Sequence, residues 1–74
     1  MATSFNEHVG NEIRAEMARR RLSQTDLASA LGWTQVALSR RLTSAVALST
    51  DEIEHIAEVL HVPVDQLVTV RTVV

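Results

Sequence analysis

Seventy-four residues, 46% of them hydrophobic, fit one small folded domain and exclude both a multidomain chain and a disordered one. Phe5 and Trp33 are the only aromatics and there is no cysteine, so the core has to be aliphatic, and disulfides and thiolate metal sites are excluded. The net charge of −2 argues at first against a polyanionic partner, and no apolar run approaches the ~20 residues that span a bilayer.

Ser4-Phe-Asn-Glu7 has the pattern of a capping box and predicts a first helix, in which Phe5, Val9, Ile13 and Met17 recur at i+4 as a core-facing stripe. Gly10 within it costs about 1 kcal/mol relative to alanine and is expected to admit the close approach of another helix. Arg19 to Arg21 suit a helix C-terminus. Ser23, with Asp26 three residues on, caps a short second helix whose apolar face is Leu27, Ala28 and Leu31, and Gly32 stops it. Thr34 caps a third helix two residues later, with Leu38 and Leu42 buried and Ala37 beside them. After a loop from Thr43 to Leu48, Ser49-Thr-Asp-Glu52 is a second capping box, followed by Ile53, Ile56, Ala57 and Leu60 at helical spacing. Val62-Pro63 breaks that helix, and Pro63 suits the first turn of a short fifth one ending near Leu67. The β-branched stretch Val68-Thr-Val-Arg-Thr-Val-Val74 reads as a strand or an extended end.

Charge is distributed unevenly along this plan. From Arg14 to Arg41 six arginines face two acids, Glu16 and Asp26, whereas Ser49 to Val70 holds five acids and no base. Such asymmetry predicts a basic face for a polyanion and an acidic face turned away from it. All seven basic residues are arginine; that choice suits bidentate contact with phosphate or guanine, and genomic base composition explains it equally well.

The stretch from Leu22 to Leu42 is a helix, a glycine turn and a second helix, with small Ala28 where the two axes approach. Packing through Leu27, Leu31 and Leu38 leaves Gln35, Val36, Ser39, Arg40 and Thr43 on an outward face. These are types that read the edges of base pairs: glutamine pairs with adenine, arginine with guanine, and valine meets the thymine methyl. The sequence resembles the XRE family of helix-turn-helix domains found in lambdoid phage repressors and Cro proteins. The resemblance runs from about Ile13 to Val68 and is carried by Leu22-Ser23-Gln24, Leu27-Ala28, Leu31-Gly32, the actinobacterial-looking Ser39-Arg40-Arg41-Leu42, and Asp51 through Leu67, which resembles the family's fourth and fifth helices.

The resemblance implies an all-α, compact five-helix, lambda-repressor-like DNA-binding domain over residues 1–68, with an extended tail at 69–74. It implies a helix-turn-helix from Gln24 to Thr43. Gln35, Val36, Ser39 and Arg40 would read bases in the major groove, with Gln24, Thr34, Thr43, Ser44 and Arg41 on phosphates. Two positions depart from the pattern. Arg41 stands where most members carry an apolar residue, with Leu42 taking over that packing one place later. Ser44 stands where glycine is usual, so the turn there is expected to differ.

Other features favour plainer readings. Trp33 is expected to pack partly under the turn, and Arg19 to Arg21 are either a solvated helix end or a phosphate grip. His55 and His61 lack partner ligands, so neither a metal nor any other cofactor is expected. No nucleophile stands beside an activating base, so no enzyme and no small-molecule substrate is expected. The start of the chain does not read as a secretory signal, which with the missing bilayer span predicts a cytoplasmic protein without membrane contact. The tail either pairs with a second copy on double-stranded operator DNA, making a homodimer, or leads into a further domain. The functional expectation is a sequence-specific transcriptional regulator, a phage repressor or Cro-like protein acting by operator occupancy. The rival is a protein-interaction module, an antirepressor or adaptor, on the same fold without DNA binding.

Overall fold

Serine and threonine hydroxyls start four of the five helices in the computed structural model, which describes residues 4–69. The helices are α1 (Phe5–Arg20), α2 (Gln24–Leu31), α3 (Gln35–Leu42), α4 (Thr50–Leu60) and α5 (Val64–Val68). Each hydroxyl accepts the otherwise unpaired N–H three residues on: Ser4 from Glu7, Ser23 from Asp26, Thr34 from Ala37 and Ser49 from Glu52, all at 3.0–3.1 Å. At α2 and α4 the carboxylate returns the bond to the cap amide, closing a full capping box. The box expected at Ser4 is only half formed, because no bond from the Ser4 amide to the Glu7 carboxylate completes it. Pro63 stands just before α5 as its cap rather than inside the first turn.

The first four helices end alike. In each, one amide reaches back five residues and the amide before it reaches back three, as in Leu22 to Met17 and Arg21 to Ala18. The residue at the bend then takes a left-handed conformation: Arg21 (φ 54°), Gly32 (φ 76°), Ser44 (φ 65°) and His61 (φ 58°). This Schellman ending usually recruits glycine, and here only Gly32 supplies one. Ser44 therefore takes the left-handed conformation that glycine adopts most readily.

Each helix packs chiefly on two others, in the cyclic order α1, α3, α2, α4, α5. One aliphatic cluster fills the centre, with Val9, Ile13 and Met17 from α1, Leu27, Ala28 and Leu31 from α2, Leu38 and Leu42 from α3, Ile53, Ile56, Ala57 and Leu60 from α4, and Leu67 from α5. Phe5 was expected in this stripe but is 54% exposed. The i+4 spacing is kept, yet the helix's first residue lies beyond the rim of the core. Gly10 does admit a close neighbour: a Cβ there would stand 3.0 Å from the carbonyl oxygen of Leu42. The missing side chain thus seats the last turn of α3 against α1.

Among the described residues one charged side chain lies inside. Glu16 is 1% exposed and takes hydrogen bonds from Arg19, Arg20 and, across from α5, Gln66. The Arg20 bond holds its carboxyl below the ordinary value; burial pushes upward, and Gln66 and the Arg19 charge add to the lowering. Arg19 and Arg20 are thereby paired with their own helix while staying on its exposed, solvated end. Nearby, the His8 Nε2–H donates to the Thr69 carbonyl at 2.8 Å, fixing the exit of α5 to α1. Val68, read from sequence as the start of an extended stretch, closes α5 instead. The rest of the expected tail, residues 70–74, lies outside the described residues.

Candidate nucleic-acid interface

The α2–α3 unit owes its shape to three residues. Gly32 turns the chain, Trp33 packs half-buried against the core, and Thr34 opens α3. Because α3 is only eight residues long and Leu38 and Leu42 face inward, its other residues divide between two flanks. Gln35, Val36 and Arg40 are exposed on one, with Ser39 half-buried between them. Together with Gln24, the first residue of α2, they line one shallow concavity. Val36 is 61% exposed, one of the few large apolar side chains so placed. Arg40 is in no ion pair among the described residues, so its guanidinium is available.

At the two ends of α3 the hydroxyls already have work. The Thr34 oxygen accepts from the Ala37 amide, leaving its own proton free to donate. The Thr43 hydroxyl donates back into the helix, 2.9 Å from the Ser39 carbonyl and 3.2 Å from that of Arg40. Thr43 thus has to rotate its hydroxyl before it can donate outward. Ser44 follows in its left-handed turn.

Arg41 occupies the opposite flank. Its Nε donates to Glu52 on α4 at 2.9 Å, one terminal nitrogen donates to the Ala37 carbonyl at 2.9 Å, and its guanidinium lies 5.0 Å over the Trp33 ring. The Trp33 ring is in turn tilted against His55, whose Nε2–H donates to the Leu31 carbonyl at 3.0 Å. Burial pushes the Glu52 carboxyl upward, yet the Ser49 amide and then Arg41 outweigh it and hold the group below its ordinary value. Two N–H groups of the guanidinium are thus engaged within the protein, at a position expected from sequence to meet a phosphate. Glu52 was legible only as a cap, since nothing in the sequence linked it to a residue eleven places earlier.

Residues 8–69 match the profile of a family described as a helix-turn-helix domain. The chain belongs to the helix-turn-helix domain family. No curated protein and no solved structure gives a significant match. The matched span of this helix-turn-helix domain takes in α2 to α5 whole and all but the first turn of α1. A DNA-binding role follows from that membership at the level of the motif, in which the second helix is the one laid in the major groove. Among the described residues no helix is long and apolar enough to cross a membrane, and no three His, Asp or Glu side chains are grouped to hold a metal ion.

Proposed function

We propose that the chain is a sequence-specific DNA-binding transcriptional regulator of the XRE type, a phage-repressor or Cro-like protein that acts in the cytoplasm by occupying an operator. The observation that supports this best is the outward flank of α3, where Gln35, Val36, Ser39 and Arg40 share one concavity with Gln24 while Leu38 and Leu42 are buried. In this reading the four α3 residues meet base edges in the major groove. Gln24, Thr34 and Ser44 hold phosphates on either side, with Thr43 joining them once its hydroxyl turns outward. Arg41 is left out of the phosphate set because Glu52 and Ala37 hold its Nε and one terminal nitrogen on the opposite flank of α3.

The net charge of −2 favours a second reading, a protein-interaction module without DNA binding. Selecting bound duplexes from a random pool separates the two. A regulator enriches one sequence, and Arg40→Ala then weakens that duplex by about 1–3 kcal/mol and relaxes preference at one base position. Enrichment of nothing above background supports the interaction module instead.

A further inference from the structure

We propose that Arg41 and Glu52 form a positioning pair that sets the orientation of α3, so that Arg41 governs sequence discrimination without touching DNA. The inference rests on the reading of α3 as the base-reading helix. Three observations carry it. First, at 100° per residue the Ala37–Arg41 flank lies about 150° around α3 from the centre of the Gln35, Val36, Ser39 and Arg40 face. A side chain on that flank, held at 2.9 Å by both Glu52 and the Ala37 carbonyl, is directed away from anything that face meets.

Second, the carboxylate of Glu52 is itself fixed. One oxygen closes the capping box of α4 on the Ser49 amide at 2.9 Å, and the other takes Arg41 Nε at 2.9 Å. The start of α4 is thereby tied to the last turn of α3, two helices that are not among each other's main packing partners. Third, Arg41 and Glu52 are only 22% and 24% exposed, and the guanidinium is backed by Trp33 at 5.0 Å. The Ala37 bond fixes the plane of the guanidinium on α3, so the single, partly buried bond from Nε to Glu52 has a set direction. Rotation of α3 about its axis is then resisted by Gly10 and Leu42 on one side and by this pair on the other.

Binding is measured for the duplex that the intact chain selects from a random pool, and for a scrambled duplex of the same composition, across a salt series. Three variants are compared, each at a temperature where circular dichroism shows it folded. Glu52→Gln keeps a residue able to close the capping box and removes the charge from the pair. Arg41→Lys keeps the charge and loses the fork, and Arg41→Met keeps only the apolar stem over Trp33. The positioning role expects all three to weaken the selected duplex about tenfold, the scale of one spoiled base contact. The scrambled duplex should change less than about twofold, with an unaltered salt slope, because no phosphate contact is lost.

The opposite pattern overturns the proposal. If Arg41 holds a phosphate, Arg41→Met weakens both duplexes alike and lowers the salt slope by about one, Arg41→Lys largely restores both, and Glu52→Gln changes neither. If every variant keeps the discrimination of the intact chain, the pair serves stability alone and the proposal falls while the regulator reading stands. If the intact chain selects no sequence at all, the regulator reading falls and this inference with it.

Discussion

At the scale of single residues, two backbone positions show how little freedom a domain of this size has. Gly10 is a poor helix former placed mid-helix, and the reason is the Leu42 carbonyl that would stand 3.0 Å from an added Cβ. Gly10→Ala recovers about 1 kcal/mol of helix propensity, but overpacking against a backbone neighbour costs about 1–3 kcal/mol. Backbone cannot swing aside as a side-chain tip would, so a net loss of about 1 kcal/mol is expected. Thermal unfolding reads this directly, and a raised melting temperature would show that α3 yields freely. His61 offers the converse case. It sits at φ 58° after α4, where a Cβ is crowded against the backbone. His61→Gly should relieve that strain and stabilise the fold by roughly 0.5–1 kcal/mol, or about 4–8 °C per kcal/mol in a domain this small. An unchanged or lowered melting temperature would show that glycine's extra freedom in the unfolded chain outweighs the relief.

Helices were legible where their signals are local, and charges were not where their partners are distant. Ser23, Thr34 and Ser49 announce helix starts within four residues, and Gly32 announces an end, so the α2–turn–α3 unit and its outward face could be read before any packing was known. Periodicity misplaced Phe5 because spacing shows which side of a helix faces inward and not how far the core reaches. The Arg41–Glu52 pair was illegible for a related reason: Glu52 is brought to Arg41 only by the fold. Glu16 did carry a local signal, Arg19 and Arg20 at i+3 and i+4, but its burial and its bond from Gln66 on α5 are tertiary. That buried carboxylate makes the α1–α5 junction sensitive to acid. Glu16 and Glu52, with an ordinary value of 4.5, and Asp26, with one of 3.8, all titrate lower in the folded chain. The Ser23 amide and then its side chain account for Asp26. For such groups the unfolded chain binds more protons, so their stabilisation is complete above the ordinary values and is lost as pH falls through the folded ones. Melting temperature should therefore hold steady down to about pH 5 and drop below it. Glu16→Gln should cost roughly 1–3 kcal/mol at neutral pH, since it removes charged hydrogen bonds while leaving 63%-exposed Arg19 free to take up water. It should also flatten the acid limb, and a limb as steep as before would place the acid sensitivity elsewhere.

At the scale of the whole molecule, the proposed function demands more than one domain can supply. An eight-residue α3 is about 12 Å long and passes roughly three to four base pairs, too few to single out an operator in a genome. Two copies related by a two-fold axis meet the need, with half-sites about 10 base pairs, or roughly 34 Å, apart. The domain measures 38 × 24 × 22 Å across its Cα atoms. Copies at that separation touch directly when their long axes lie along the duplex, and leave a gap of roughly 10 Å when a short axis does. Residues 70–74, four of the five β-branched, are the candidate adhesive in either arrangement, and five residues reach up to about 17 Å when extended. Thr69 is better kept in any truncation, because its carbonyl accepts the His8 bond that fixes α5. Deleting 70–74 should lower cooperativity on a duplex carrying two half-sites and leave affinity for a single half-site near its original value. Sedimentation of the intact chain with the two-half-site duplex provides the stricter measurement. Two copies per duplex are expected at saturation, with the second binding more tightly than the first. Saturation by one copy, with no second at higher concentration, would end the pairing scheme and require the domain to gain its specificity from a longer contact than α3 alone provides.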